Sequence, residues 1–328
     1  MAILYNNDLD STALAERRVC VLGYGAQGRA QALNLRDSGV DVIVGLRENS
    51  SRRAAASAEG LALGTPAEAV AASDVVVMLV PDTEQPAVYR ELEPALRANA
   101  CLVFAHGYAI RFEKIAPRAD IDVVMVAPMG IGEQVREVYC RGAGVPALLA
   151  VQQDASGAAR KLAEAYARAN GHGHAGVIET SFAEETETDL FAEQAVLCGG
   201  LNHLITAAFE TLVEAGYQPE VAYFCCLHEV SYMAGMLQRR GIAATRESIS
   251  VVAEYGDYTR GPDMVGDAGR AAMRAALADI RSGRFTRELD AELESKGETL
   301  RAGRKAARDH LLEAVGARLR ARMSWLDK

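Results

Sequence analysis

Residues 19–39 read VCVLGYGAQGRAQALNLRDSG. A β-branched run, residues 18–22, leads into glycines at 23, 25 and 28 and then into a helical pattern. In that order each glycine has its own task. Gly23 permits the tight turn after the strand, Gly25 lets a pyrophosphate approach the backbone, and Gly28 lets the helix pack on the strand. Free N–H groups at the start of the helix then face the anion. The cofactor turn therefore comprises Gly23, Tyr24, Gly25, Ala26, Gln27 and Gly28. The context, a strand before and a helix after, makes it a dinucleotide fingerprint rather than a bare glycine pattern.

Working outward, short apolar runs at 41–46, 74–80, 101–105, 122–127 and 147–152 each read as a strand buried on both faces, most of them followed by a helical stretch. This repetition predicts an α/β fold, a Rossmann domain with a parallel sheet covered by helices. After a last apolar strand candidate at 176–178 the pattern changes. Residues 184–214, 219–240, 267–282 and 301–323 read as long helices, so an NADP-binding domain over 1–180 is expected to be followed by an all-helical domain over 181–328.

The chain has 328 residues, 50% apolar and 24% charged, with 35 basic and 44 acidic groups. That length accommodates two domains with sizeable cores and excludes a disulfide-stapled miniprotein. A net charge of -9 argues against general nucleic-acid binding, which needs a concentrated positive field. No basic stretch followed by an apolar segment marks the N-terminus as a secretory signal. The longest uninterrupted apolar run, 75–81, is one buried strand rather than the ~20 residues of a membrane span. The six cysteines show no CxxC spacing. The expectation is a cytoplasmic protein with free thiols, no membrane or nucleic-acid partner, and a small-molecule substrate.

The end of the second strand selects the cofactor. An NAD site usually places Asp or Glu there to hold the ribose 2′-hydroxyl. Here the strand ends Val44, Gly45, Leu46, Arg47, and Ser50, Ser51, Arg52 and Arg53 follow. Guanidinium and hydroxyl groups suit a 2′-phosphate, so NADPH is expected.

Segments along nearly the whole chain resemble the short-chain class of ketol-acid reductoisomerase: GYGAQGRAQALNLRDSGVDVIVGLRENS, LVPDTEQPAVY, FAHGYAI, DVVMVAPMGIG, GVPALLAVQQDASG, GVIETSFAEETETDLFAEQAVLCGG, ETLVEAGYQPEVAYF, LHE and SISVVAEYGDYTRGP. ETETDLFAEQAVLCGG is the most specific. The resemblance implies a Rossmann domain followed by a knotted helical domain, in a homodimer with shared active sites or a larger homo-oligomer. It also implies two magnesium ions that assist an alkyl shift within a 2-aceto-2-hydroxy acid, followed by reduction with NADPH. Such a shift has no good leaving group, so hard cations must carry away the charge on oxygen, and magnesium takes oxygen ligands. Asp189 and Glu193, four apart on one helix face, match the first pair of metal ligands, and Glu229 matches a third. His106 matches a polar residue near the nicotinamide, and Ser250 the group that holds the substrate carboxylate. Pro81, Asp82, His106 and Gly132 complete the cofactor-binding set with Arg47, Ser50 and Arg52.

Three positions depart from the family pattern. Met129 stands where the family carries a lysine, Cys225 where it carries a glutamate four residues before Glu229, and Val251 where it carries an aspartate after Ser250. A soft thiol binds magnesium poorly, so magnesium occupancy is doubtful. Cys225, His228 and Glu229 also allow a zinc reading. Because the altered residues serve the rearranging half of the chemistry, the leading expectation is an NADPH-dependent reductase acting on a small C=O, C=N or activated double bond, with isomerisation lost or altered. Two alternatives stand beside it: an authentic magnesium-dependent ketol-acid reductoisomerase, with water or Glu133 covering for the losses, and a non-catalytic NADPH-binding homologue.

Overall fold

The computed structural model describes residues 2–326. These form two compact units, one ending at Thr188 and the other beginning at Asp189. The first is built on a nine-stranded sheet. Its strands are β1 (Ile3–Leu4), β2 (Arg18–Leu22), β3 (Asp41–Gly45), β4 (Ala62–Gly64), β5 (Val75–Met78), β6 (Cys101–Phe104), β7 (Asp122–Pro128), β8 (Ala147–Gln153) and β9 (Val177–Glu179). They lie in the order β1-β9-β8-β7-β6-β5-β2-β3-β4. From β7 to β4 neighbouring strands are parallel.

Alternate side chains of each strand enter two cores. Val19, Val21, Val75, Val77, Val103 and Val124 face the helices Ala26–Asp37 and Ala159–Ala169 through Leu33, Leu35, Leu162 and Tyr166. Cys20, Leu22, Val76, Met78, Leu102 and Phe104 face Val70, Tyr89 and Leu92 on the opposite side. Each fully buried Val or Leu contributes about 1.5–3 kcal/mol, which is why continuous apolar runs, not alternating ones, make these strands. The two cysteines within the sheet are packing groups, and burial pushes the Cys20 thiol up to about 12.

Two strands run against the parallel expectation, β8 and β9, which pair parallel with each other. β8 pairs antiparallel with β7. The intervening helix, Gly132–Cys140, packs beside Ala26–Asp37 through Ala30, Val135 and Val145 instead of crossing back over the sheet. The chain thus re-enters at the end where it left, which an antiparallel partner requires. β1 also joins antiparallel, on β9.

The second unit is helical, with a small core of Phe209, Ala222, Tyr223, Leu312, Val315 and Met323. The expected helix 219–240 is Pro219–Tyr223, a widened turn Phe224–His228, and Val230–Ser248, which bends at Gly241 where φ is 77°. The expected helix 301–323 breaks at His310 into Glu298–Asp309 and Leu311–Arg320. Among the described residues one helical run, Phe182–Glu214, is long and apolar enough to cross a membrane by length and composition. A search for unbroken apolar runs overlooks it, because Glu193 interrupts the stretch.

Candidate active site

The cofactor turn has the shape its glycines require. Gly23 adopts φ +96°, and a Cβ there would lie 2.6 Å from the Leu79 carbonyl oxygen. A Cβ on Gly28 would run into the Gly23 carbonyl oxygen, so helix and turn touch backbone to backbone. Gly25 differs. Nothing lies within 4 Å of the place its Cβ would take. It is the N-cap of the 12-residue helix Ala26–Asp37 and offers no side-chain cap, which leaves the first N–H groups of the helix unspent. An open cradle ending on a helix N-terminus fits the pyrophosphate of a dinucleotide.

Tyr24 braces this turn. Its hydroxyl donates to Glu59 Oε2 at 2.5 Å, and Glu59 is held in turn by the Arg29 guanidinium. Burial and the neighbouring Glu59 raise the Tyr24 phenol, so it stays protonated and keeps donating. At the ribose end, Arg53 is spent on the fold: its Nη1 donates to the carbonyl oxygens of Leu46 at 2.7 Å and Gly64 at 3.3 Å. Arg52 donates to the Tyr24 carbonyl oxygen at 3.0 Å and from its backbone N–H to Ser50 Oγ at 3.3 Å. Arg47 is exposed and makes no side-chain hydrogen bond among the described residues. The polar groups left unspent at this end include Arg47, Ser50, Ser51 and the rest of Arg52.

At the same carboxyl end of the parallel strands, Pro81 and Asp82 follow β5 and His106 follows β6. Asp82 accepts from Gln85 Nε2 at 2.9 Å. Burial lifts its carboxyl above the usual range, and the nearby His106 opposes that rise. His106 Nδ1 meets Glu185 Oε1 at 2.8 Å, while Glu185 Oε2 accepts from the Gly107 N–H at 2.8 Å and from Thr186 Oγ1 at 3.2 Å. The Glu185 side chain is only 4% exposed. With Gly107 N–H fixed as a donor, the carboxylate is oriented to accept from Nδ1–H, which turns His106 Nε2 away from it. Glu185 rides on the helix Phe182–Ala192, which is latched a second time where Arg111 donates to Glu187 at 2.8 and 2.9 Å.

Met129, 54% exposed, and Ile131, 69% exposed, stand on the loop after β7. That loop lies on the cofactor turn itself. Gln27 Nε2 donates to the Gly130 carbonyl oxygen at 2.9 Å, and a Cβ on Gly132 would lie 2.6 Å from the Gln27 nitrogen.

The other predicted site residues belong to the helical unit. Asp189 follows Glu185 by one turn of the same helix. Glu193 opens a π-helical turn, Glu193–Leu197, closed by the bond from Cys198 N–H to the Glu193 carbonyl oxygen at 2.9 Å. Cys225 lies in a second such turn, Phe224–His228, closed from Glu229 N–H to the Phe224 carbonyl oxygen at 3.1 Å. Widened turns of this kind are frequent at functional sites, and both fall on motifs singled out from sequence. Ser250 caps the helix Val251–Met264, its Oγ accepting from Ala253 N–H at 3.2 Å, and Val251 is 78% exposed. Among the described residues, no three donors drawn from Glu193, Cys225, His228 and Glu229 converge on one point. His228 Nε2 meets the Tyr232 hydroxyl at 3.1 Å. Three carboxylates and a thiol do not fit a four-carboxylate magnesium cage.

One residue, Glu185, and one side-chain role, that of Gln27, escaped the sequence reading. Glu185 carried a signal, since it precedes Asp189 by one helical turn inside the most specific motif, but an acidic-rich stretch gives no hint of which carboxylate is buried. The Gln27 side chain carried none, because its partner is a backbone carbonyl 103 residues away.

Comparison with known proteins follows the same two units. Residues 13–176 match the family described as acetohydroxy acid isomeroreductase, NADPH-binding domain, and residues 182–325 match ketol-acid reductoisomerase, C-terminal domain. The structure of an NADH-preferring ketol-acid reductoisomerase from an uncultured archaean is 40% identical, with a TM-score of 0.96, over 99% of this chain and 100% of that one. An oxidoreductase structure from Jannaschia sp. is 16% identical over 82% of this chain and 97% of its own, with a TM-score of 0.61. A semialdehyde dehydrogenase NAD-binding protein from Cupriavidus necator is 18% identical over 81% and 99%, with a TM-score of 0.61. These last two share the fold alone.

Proposed function

The chain belongs to the ketol-acid reductoisomerase family, and from that premise we propose that it is an NADPH-dependent reductase of a small C=O, C=N or activated double bond, with the carbon-rearranging step lost or altered. One observation carries this reading: the cradle at Gly25 and the bond from His106 to the buried Glu185 are in place, while an exposed thioether, Met129, occupies the loop where the family resemblance places a lysine.

When bound, the nicotinamide supplies hydride. The turn over 23–28 holds the pyrophosphate, and Arg47, Ser50 and Arg52 meet the 2′-phosphate. Glu185 keeps the His106 ring oriented, so that Nε2 is the atom that holds or passes a proton at the reduced centre. Pro81 and Asp82 border the same end. Two copies pair through the helical unit, whose large apolar side chains stand in water in the single chain: Val196 is 55%, Leu197 60%, Val252 84% and Tyr255 69% exposed. Exposed apolar side chains of that size are what pairing of two copies would cover.

The test is NADPH oxidation with 2-acetolactate and with 3-hydroxy-3-methyl-2-ketobutyrate, each with and without magnesium, and repeated with NADH. Turnover of the second substrate only, with NADPH preferred, is expected. Met129→Lys combined with Cys225→Glu should recover part of the activity on acetolactate. Magnesium-dependent turnover of acetolactate by the unmodified protein at ordinary family rates overturns the proposal.

That result would establish a second reading, the authentic family reaction, which is favoured by the 40% identity over full length to a ketol-acid reductoisomerase. A preference for NADH, as that relative's description records for itself, would replace only the cofactor assignment.

A further inference from the structure

A line of polar side chains runs from the interior of the sheet unit to the loop that carries Met129. The Tyr166 hydroxyl, fully buried, donates to Gln31 Oε1 at 2.5 Å. Gln31, also fully buried, donates through Nε2 to Gln27 Oε1 at 3.0 Å. Gln27 then donates through Nε2 to the Gly130 carbonyl oxygen at 2.9 Å. Each amide is used at both ends, which fixes the orientation of both glutamines and leaves neither free to turn. Gln31 and Gln27 share a helix face at i, i+4.

The loop has few other supports. On one side the Met129 N–H donates to the Pro146 carbonyl oxygen at 2.8 Å. On the other, Gly132 rests on the backbone of Ala26 and Gln27, with no room for a Cβ between them. The residues between these two points, Gly130 and Ile131, are held to the cofactor turn by the Gln27 side chain. Backbone atoms that border the open cradle at Gly25 are thus in contact with those that aim Met129.

We propose that Gln27 is a positioning residue that ties the substrate loop 129–132 to the dinucleotide turn, so that filling the turn steadies the side chains at 129 and 131. Its backbone belongs to the cradle, but its side chain serves the loop. Tyr166 and Gln31 anchor it from behind, and the substrate end of the site inherits its rigidity from the cofactor end. This rests on reading the turn as an NAD(P)H site.

Hydrogen exchange read residue by residue tests it in the full chain, without knowledge of the substrate. In the native protein, NADPH slows exchange at amides 25–28 and also at 130–132. In Gln27→Met, which is neutral and close in length, NADPH still protects 25–28, but the added protection at 130–132 is lost. Gln31→Met, which leaves Gln27 in place but unanchored, gives the same loss in part. With 3-hydroxy-3-methyl-2-ketobutyrate as probe, Gln27→Met raises the substrate KM about fivefold to tenfold, the worth of one ordinary hydrogen bond, while the Kd for NADPH stays within about threefold. Equal protection of 130–132 in Gln27→Met and native protein, with 25–28 protected in both, overturns the proposal and leaves the cofactor reading standing. No protection of 25–28 by NADPH in the native protein removes the cofactor reading and this proposal together.

Discussion

Replacing Glu185 by glutamine removes one negative charge at constant shape. The carboxylate accepts from His106 Nδ1 and from Gly107 N–H, both at 2.8 Å, inside a site where its side chain is 4% exposed. A hydrogen bond to a charged group contributes about 1.5–3 kcal/mol and a neutral one about 0.5–1.5, so two weakened bonds cost roughly 2–3 kcal/mol. Relief of the buried charge's desolvation offsets part of that. The net loss is about 1–2 kcal/mol, a fall of roughly 2–8 °C in the melting of a unit of this size. Function should suffer more. The amide oxygen must serve Gly107 N–H, which cannot turn, so the amide NH₂ faces His106 Nδ1 and forces the proton onto Nε2. A reversed tautomer at a proton-transferring ring costs on the order of 10²–10⁴ in rate. The assay is NADPH oxidation with 3-hydroxy-3-methyl-2-ketobutyrate across pH. The KM for NADPH should stay within about twofold, since the turn over 23–28 is untouched, and Glu185→Asp should fall in between. A Glu185→Gln enzyme whose kcat and pH profile match the native ones refutes the assignment of His106 as proton carrier.

Three further outcomes are expected. Gly25→Ala fills open space, so it should fold with unchanged melting while raising the KM for NADPH by about tenfold or more; Gly28→Ala, whose methyl meets the Gly23 carbonyl, should lower the melting temperature. Arg47→Ala should weaken NADPH by roughly tenfold and leave NADH nearly unchanged, the mark of a lost phosphate contact. His172, fully buried with Nδ1 on the Val145 carbonyl oxygen at 2.9 Å, is pushed down to about 4 from 6.5 by burial. Between those pH values the unfolded chain takes a proton that the native chain refuses, so stability is full above about 6.5 and falls by up to about 3 kcal/mol as the pH drops towards 4. In His172→Asn the slope of melting temperature against pH over that window should be shallower by about one proton.

The sheet was legible because its strands are buried on both faces and announce themselves as unbroken apolar runs. Residues 18–22, 101–105 and 147–152 coincide with β2, β6 and β8 to within a residue. β1 and β4 were missed, since two and three residues are too few to show a pattern. The direction of β8 was not legible either, because a run of apolar residues has no sense of direction and the reversal comes from where the helix Gly132–Cys140 packs. In the helical unit the helix Val251–Met264 escaped notice; Pro262 inside it breaks the signal, while Ser250 as its cap is visible only in hindsight. The cofactor turn could be read residue by residue, since each glycine answers a steric demand within a few neighbours. Glu185 and Gln27 could not, since their partners are 79 and 103 residues away along the chain.

The intact and altered positions divide by what each half of the family's chemistry demands. Hydride transfer needs a held nicotinamide and one well-oriented proton carrier, and in the proposed function those demands fall on the turn over 23–28 and on the His106–Glu185 pair. An alkyl shift needs positive charge facing oxygen throughout. Losing one preorganised donor from such a site costs on the order of 10²–10³ in rate. If, as the proposed reading has it, Met129 replaces a cation and Cys225 a hard ligand, the two losses together would slow rearrangement by roughly 10⁴–10⁶ when they act independently. Reduction of a substrate that already carries its 2-keto group would escape the demands of the alkyl shift. The ratio of rates on 3-hydroxy-3-methyl-2-ketobutyrate and 2-acetolactate therefore measures the divergence directly. Restoring lysine at 129 should move that ratio through the acetolactate rate alone, because the Gly130 carbonyl bonded to Gln27, and with it the path of the loop, is unchanged by what the neighbouring side chain carries.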